Sequence, residues 1–458
     1  MGVLGKLFGR KKAGRKVVML GLDGTPYSLI KELAERGVMP AMAALVGDEH
    51  FAAAGRLMQM DSSIPEISSV AWTSTMTGRN PAKHGVFGFT DLKPGTYDVI
   101  FPNFASVQTS VLWDVLGAAG KRSVIVNQPS TYPARKLNGV LIAGFVAIDL
   151  KRAVYPPELV PRLEAMGYRI DVDAARARDD VGAFVEDLFS TLGIRERAIL
   201  ELFDEGGWDF FMAVETGTDR LHHFLWNALD DESHPHHDAF LEYYRAVDGL
   251  IGKITDRLDA GVPLVMMSDH GFTGIKKEVF LNHWLRENGY LDFTTAAPES
   301  LAQIADGSRA FCLDPSRIYL NVKGRYPKGC VEPRDVPALL DELAAKLAAL
   351  ADPDTGEPMI RNVYRRDEIY AGPLIRQAPC LVLVSNWGWD LKGSVKRQVL
   401  VEKGLFAGMH TQDDAFLYIR GAEVTTTRKP TVRDVMPTIL NLAGCEPPRD
   451  LDGHSLIG

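Results

Sequence analysis

The chain has 458 residues, 46% apolar and 24% charged, with a formal net charge of −8. That balance fits a large α/β core with insertions and gives no electrostatic reason to expect a nucleic-acid polymer as partner. The four cysteines (Cys312, Cys330, Cys380, Cys445) lie far apart, which argues against a disulfide scaffold and a thiolate zinc site, and no apolar run approaches the roughly 20 residues that span a bilayer.

Residues 1–16 (MGVLGKLFGRKKAGRK) carry Lys6, Arg10, Lys11, Lys12, Arg15 and Lys16, with Val3, Leu4, Leu7 and Phe8 interspersed. The apolar part is too short for a signal peptide and the charges lie on its wrong side. The segment is expected to be a basic tail, with weak contact to an anionic membrane surface as its alternative use. A cytoplasmic protein is expected, at most peripheral to the inner membrane face. No pattern dictates an oligomeric state.

The run VVMLGL (17–22) then has the continuous apolar character of a strand buried on both faces, and it ends in the turn Asp23-Gly24-Thr25-Pro26. Similar runs follow at 123–127, 139–144, 210–214, 263–267 and 415–419, with helical stretches such as 183–204 and 239–258 between them. Such alternation predicts a mostly parallel central sheet flanked by helices on both faces, and in such sheets ligands bind beyond the carboxyl ends of the strands. Residues 273–405 break the rhythm with Gly- and Pro-rich loops, a helix at 336–350 and isolated strands such as RIYLNV. We expect an inserted cap subdomain there, with the catalytic core built from 17–272 and 406–458.

Polar residues collect at the strand ends. Asp23 follows VVMLGL, Asp219 and His223 follow FFMAVETGT, Asp269 and His270 follow PLVMM, and His410 precedes AFLYI in a Gly-containing loop. Asp219 and His223, four residues apart, share one face of a helical turn. Taken singly, each of these residues reads as a turn, a helix face or a strand end. As an ordered set they offer six carboxylate and imidazole donors without thiolate, too many for one tetrahedral ion and about right for two. Zinc suits the donors first, then manganese or iron, and paired ions about 3.5–4 Å apart suit phosphoryl transfer. A nucleophile candidate lies in IPEISSVAWTSTMTG, where Ser68 stands at or near the start of a helix whose free N–H groups favour an anion.

Together these pieces resemble the type I phosphodiesterase/nucleotide pyrophosphatase branch of the alkaline phosphatase superfamily. The resemblance runs in order from LGLDGTP through SSVAWTSTMTGRNPAKHGVFGF, VNQPSTYPARKLNGVLIAGF, TGTDRLHHFLW, SDHGF and GMHTQDD to the tail VRDVMPTILNLAGCEPPRDLDGHSL. It implies an alkaline-phosphatase-like α/β sandwich that hydrolyses a small-molecule phosphate ester, most simply as a phosphodiesterase or pyrophosphatase. It implies two divalent metal ions, zinc before manganese. One is held by Asp219, His223 and His410, the other by Asp23, Asp269, His270 and the nucleophile. Counting nine residues back from Thr77-Gly78 places that nucleophile at Ser68, with Ser69 as rival. Two departures stand out. Nucleotide-cleaving members carry an Asn in the loop after the HG pair, where this chain has HGVFGFTD with Phe89 near that place; and SSVAW lacks the sulfatase pattern. A phosphomonoesterase or phosphomutase-like member shares the ligand set, and an inactive binding protein of the same fold is the alternative of another class.

Outside the ordered set, Arg79, Trp387 and Trp389 are weak candidates for substrate contact, Arg79 beside Lys83 for a phosphate and the tryptophans as pocket walls. His84 reads as structural, DDESHPHHDAF (His234, His236, His237) as an exposed loop, and His283 and His454 have no evident partners.

Overall fold

The computed structural model describes residues 15–47, 55–259 and 261–458, so most of the basic N-terminal segment lies outside the described residues. An eight-stranded sheet organises the core. Its order is Arg56–Met60, Ala415–Arg420, Leu264–Met267, Val17–Leu22, Phe210–Glu215, Ser123–Gln128, Gly139–Ala143 and Val154–Tyr155. The five strands from Leu264–Met267 to Gly139–Ala143 run parallel. Ala415–Arg420 lies antiparallel to both its neighbours, and Val154–Tyr155 closes the far edge antiparallel. All six apolar runs singled out in the sequence are strands of this one sheet.

Each parallel strand is buried on both sides because its side chains alternate between two separate cores. Val18, Leu20 and Leu22 join one core with the helices Tyr27–Glu35, Val181–Asp204 and His237–Thr255. Val17 and Met19 join the other with the helices Ser68–Thr77, Leu112–Ala118 and Val435–Leu442. This is a mixed α/β fold with a large, mostly parallel sheet flanked by helices on both faces. No helix of the described residues is long and apolar enough to cross a membrane.

The irregular region has its own core and its own antiparallel sheet, ordered Ala310–Leu313, Arg317–Leu320, Leu381–Ser385, Ile360–Arg365, with the helix Val336–Ala348 packed on it. One piece from earlier in the chain joins it. The hairpin of Asp91–Leu92 and Val99–Ile100 sends Tyr97 into that core, where its ring stacks on Tyr326 and its hydroxyl donates to Asn321 Oδ1 at 2.8 Å. The buried Arg317 adds a second tie, donating to Asp91 Oδ1 at 2.8 Å and to the Thr90 carbonyl at 2.6 Å.

Candidate metal centre

The carboxyl edge of the sheet carries the predicted donors. Asp23 ends Val17–Leu22, and Gly24 turns the chain there at φ 64°, a region that favours glycine. A Cβ at Gly24 would meet Phe272 and the His270 Cε1 at 3.1–3.2 Å, so the turn also makes room for the His270 ring. Asp269 follows Leu264–Met267 and accepts the Gly24 N–H at Oδ1, 3.1 Å. Asp219 and His223 lie one turn apart at the start of the helix Gly217–Asp230, which Thr218 Oγ1 ties to the Asp23 carbonyl at 2.6 Å. The short strands Gly271–Gly274 and Gly408–Thr411 pair antiparallel with Phe272 opposite His410, bringing the last imidazole back over the edge.

Three imidazoles converge, and their tautomers follow from their outer contacts. His223 Nδ1 lies 3.2 Å from the Gly408 carbonyl, His270 Nδ1 3.0 Å from that of Gly271, and His410 Nδ1 2.9 Å from that of Glu66. A carbonyl can only accept, so each Nδ1 carries the hydrogen and each Nε2 presents a lone pair inward. His410 and His223 then face each other with Nε2 atoms 3.1 Å apart, two acceptors with no proton between them. Asp219 Oδ1 sits 3.2 Å from His410 Nε2 and 3.4 Å from His223 Nε2, neither of which can donate to it. His270 Nε2 lies 3.1 Å from Ser68 Oγ, 3.3 Å from Asp269 Oδ2, 3.6 Å from Asp23 Oδ1 and 4.0 Å from Asp219 Oδ1.

Such a set repels itself unless a cation occupies it. Asp219 Oδ1 and Asp269 Oδ2 are buried and accept no hydrogen bond, a costly arrangement for carboxylates. Burial, with Asp269 and Asp219 close by, raises the Asp23 carboxyl well above its ordinary range, and burial pushes Asp269 up to about 7. Burial also opposes ionisation of Asp219, but a His223 or His410 imidazole that takes up a second proton, at Nε2, attracts and hydrogen-bonds the carboxylate and holds it well below its usual range. His270 is lowered to about 4 by burial and by the neighbouring His410, which leaves it neutral and able to ligate. Two overlapping groups have metal-ligand spacing: Asp219 with His223 and His410, and Asp23 with Asp219 and His270. Asp219 belongs to both, and Asp269 borders the second.

Ser68 opens the helix Ser68–Thr77 instead of capping it. The N-cap is Ile67, with no side-chain cap, which leaves the hydroxyl facing the cluster, 3.4 Å from Asp23 Oδ1. Ser69 Oγ is buried and takes no partner.

A cavity of about 310 Å³ opens over the cluster, lined among others by Ser68, Glu66, Phe89, Phe145, Arg220, Lys392 and His410. Phe89, from the departing loop HGVFGFTD, lines this cavity. Arg79, Trp387 and Trp389 are not among its lining residues. Arg79 is buried as a bidentate partner of Asp450, at 3.0 and 2.6 Å, and also donates to the Thr77 carbonyl at 2.9 Å. Trp389 is packed in the core of the irregular region, and Trp387 is half exposed with its indole N–H on Asp413. In the strand Trp389–Lys392, Trp389 and Leu391 join the core of the irregular region, while Asp390 and Lys392, paired at 2.6 Å, line the cavity, to which Leu391 also contributes. His84 accepts the Val86 N–H and bonds Ser74, both inside the fold. No candidate metal group among the described residues includes His234, His236 or His237; the last is buried at the start of a helix, its Nδ1 on the Ala228 carbonyl.

Three residues of the site escaped the sequence reading. Trp72 donates its indole N–H to Asp23 Oδ2 at 3.2 Å and closes over Gly21, where a Cβ would meet the ring at 2.4 Å. Its place one helical turn after Ser68 was the available signal. Arg220, next to Asp219, bonds Asp171 Oδ2 at 2.7 Å and Asp219 Oδ2 at 3.3 Å while lying over the Phe145 ring. Glu66 Oε2 is buried and unpaired, and burial raises its carboxyl to about 7.

The family model described as type I phosphodiesterase / nucleotide pyrophosphatase matches residues 17–413. Among solved structures, the fold is similar to phosphonoacetate hydrolase from Sinorhizobium meliloti 1021 in complex with phosphonoacetate, at 17% identity and a TM-score of 0.62, covering 94% of this chain and 96% of that one. It is also similar to murine ectonucleotide pyrophosphatase / phosphodiesterase 5, at 13% identity and a TM-score of 0.56, covering 96% of this chain and 98% of that one. An inactive form of the murine protein, in complex with AMP, matches at the same identity and TM-score, with 96% and 97% covered. Comparison with curated protein sequences gives no match.

Proposed function

The chain belongs to the type I phosphodiesterase / nucleotide pyrophosphatase family of phosphoester hydrolases, and from that premise we propose that it cleaves a small phosphate diester with Ser68 as nucleophile and two divalent cations as cofactors. His223, His410 and Asp219 would hold one ion. Asp23, Asp269, His270 and the Ser68 hydroxyl would hold the other, with Asp219 between them. The all-nitrogen-and-oxygen donor set suits zinc first and manganese second. Bound there, the ions supply Lewis-acid stabilisation of the phosphoryl oxygens and lower the pKa of the serine hydroxyl.

The protein's own share is positioning and charge. Ser68 Oγ gives up its proton to solvent and attacks phosphorus; an Oγ–P bond forms, the P–O bond to the leaving alcohol breaks, and the alcohol takes up a proton from solvent. Water then attacks phosphorus and loses a proton to solvent, the P–Oγ bond breaks, Oγ is reprotonated, and the phosphate monoester leaves. The first turn of the helix Ser68–Thr77 directs its free N–H groups and its positive dipole end at the transferring group. Arg220 and Lys392 are the cations at the cavity. Phe89 brings no donor to the phosphoryl group, so these cations and the helix start are left to contact its oxygens. The phosphonoacetate and AMP bound by the similar structures support a small-molecule substrate.

The observation that carries this reading is the set of three inward-facing Nε2 lone pairs sharing a pocket with buried carboxylates and the Ser68 hydroxyl. The test is hydrolysis of bis(p-nitrophenyl) phosphate by zinc-loaded Ser68→Ala and Ser69→Ala proteins. Turnover is expected to vanish in the first and persist in the second. Undiminished turnover by Ser68→Ala would reject the assignment.

A further inference from the structure

The cavity lining mixes unlike chemistry. Beside Ser68 and the donor cluster it includes Phe89, Phe145, Leu391, Phe406 and Met409, and Phe406 lies against the His223 ring with centroids 4.9 Å apart. The apolar lining continues beyond the mouth. Phe89 stacks on Phe145 with centroids 5.7 Å apart and meets Phe101 edge-on at 5.6 Å. Phe101 is 61% exposed, and Ile148, three residues past Phe145, is 86% exposed. They are the two most exposed large hydrophobic residues among the described residues; Phe101 touches the cavity residue Phe89, and Ile148 follows the cavity residue Phe145 by three positions in the chain. Single exposed apolar residues are ordinary, but an apolar shelf continuous with a reaction cavity marks a place where apolar matter is taken up.

The shelf also discriminates between apolar guests. Phe145 already has Phe89 stacked on it and the Arg220 guanidinium 4.4 Å from its ring centroid. A flat heterocycle that must stack finds its place on that ring taken, whereas an aliphatic chain needs only edges and side-chain surface. The stretch Phe145-Val146-Ala147-Ile148 carries no charge to hold a polar arm.

We propose that the substrate is an amphiphilic phosphate diester: its phosphate lies at Ser68, and one ester arm is an aliphatic chain that runs along Phe89 and Phe145 and out over Phe101 and Ile148. This rests on the phosphodiesterase reading above. Each methylene taken from water onto the shelf raises kcat/KM by up to about four-fold, until the chain outruns the apolar surface.

The experiment uses full-length, zinc-loaded protein and a series of p-nitrophenyl alkyl phosphates (methyl, butyl, octyl), each below its micellar concentration, with Phe101→Ser and Ile148→Ser beside the wild type. A parallel calorimetric arm measures binding of methyl and octyl phosphate without turnover. The octyl-to-methyl ratio of kcat/KM is expected to exceed ten in the wild type and to fall several-fold in each variant, with the affinity ratio moving alike. A wild-type ratio near one, or an undiminished ratio in both variants, overturns the shelf. Chain-dependent affinity that the variants lose, together with no hydrolysis of any ester, supports the shelf and overturns the phosphodiesterase reading instead.

Discussion

Replacing Trp72 by Phe isolates one hydrogen bond at the centre of the site. Trp72 is fully buried, Asp23 is 3% exposed, and the indole N–H reaches Asp23 Oδ2 at 3.2 Å. No solvent stands ready to replace that donor. A hydrogen bond to a charged group contributes about 1.5–3 kcal/mol, and every 1.4 kcal/mol is roughly ten-fold in an equilibrium constant. Phe fills the near part of the indole's space, gives up the distal ring atoms that lie over Gly21, and leaves Oδ2 without its partner, so the carboxylate loses the contact that fixes its plane. Loss of such an outer contact lowers metal affinity about 10- to 100-fold. The assay is chelator-competition titration with zinc, followed by activity as a function of free zinc. Trp72→Phe is expected to bind one ion more weakly by that factor and to regain most of its turnover at saturating metal. Urea unfolding of the metal-free protein reports the separate cost of the smaller ring. Unchanged zinc affinity in a folded variant would refute the claim that Trp72 orients a ligand.

Two further perturbations test the scaffold. Arg195 is fully buried and donates to Glu215 Oε1 at 3.0 Å and to Thr216 Oγ1 at 2.9 Å, just before the helix that carries Asp219 and His223. Arg195→Met strands a buried carboxylate and should lower stability by about 3–5 kcal/mol in urea unfolding; a change below about 1 kcal/mol would contradict the pairing. His84 is lowered to about 3 by burial, so below the unfolded value near 6.5 the unfolded state binds the extra proton and stability falls with pH. The wild type should lose about 1.4 kcal/mol per pH unit from this residue between pH 6 and 4. His84→Gln should remove that part of the slope, and parallel pH profiles for both proteins would contradict it.

Much of the fold was legible because each strand of the parallel sheet is buried on both faces and reads as one apolar run, as VVMLGL and PLVMM do. The convergence of the candidate donors at one sheet edge was legible for a related reason: a buried strand that stops abruptly at an acid or a histidine is conspicuous. What stayed hidden depends on chain distant in sequence. Arg79 reads as an exposed cation after a helix until the C-terminal segment brings Asp450 against it. The two tryptophans of SNWGWDLKG look like pocket walls, yet period-two alternation in the strand sends Trp389 into the core of the irregular region and gives the cavity Asp390 and Lys392. That phase is set by packing against distant parts of the chain, which no local pattern in the segment encodes. The hairpin around Tyr97 likewise belongs with a core formed some two hundred residues later.

Metal content bears most directly on the whole account. Purified protein, saturated with zinc and freed of loosely held ions, should carry two divalent ions per chain by elemental analysis. His223→Ala should carry one, and Asp219→Ala, which takes away the donor common to both groups, should retain neither at the same free zinc. A wild-type protein that binds no ion, or whose stoichiometry is indifferent to Asp219 and His223, would contradict the shared metal centre and the catalysis built on it.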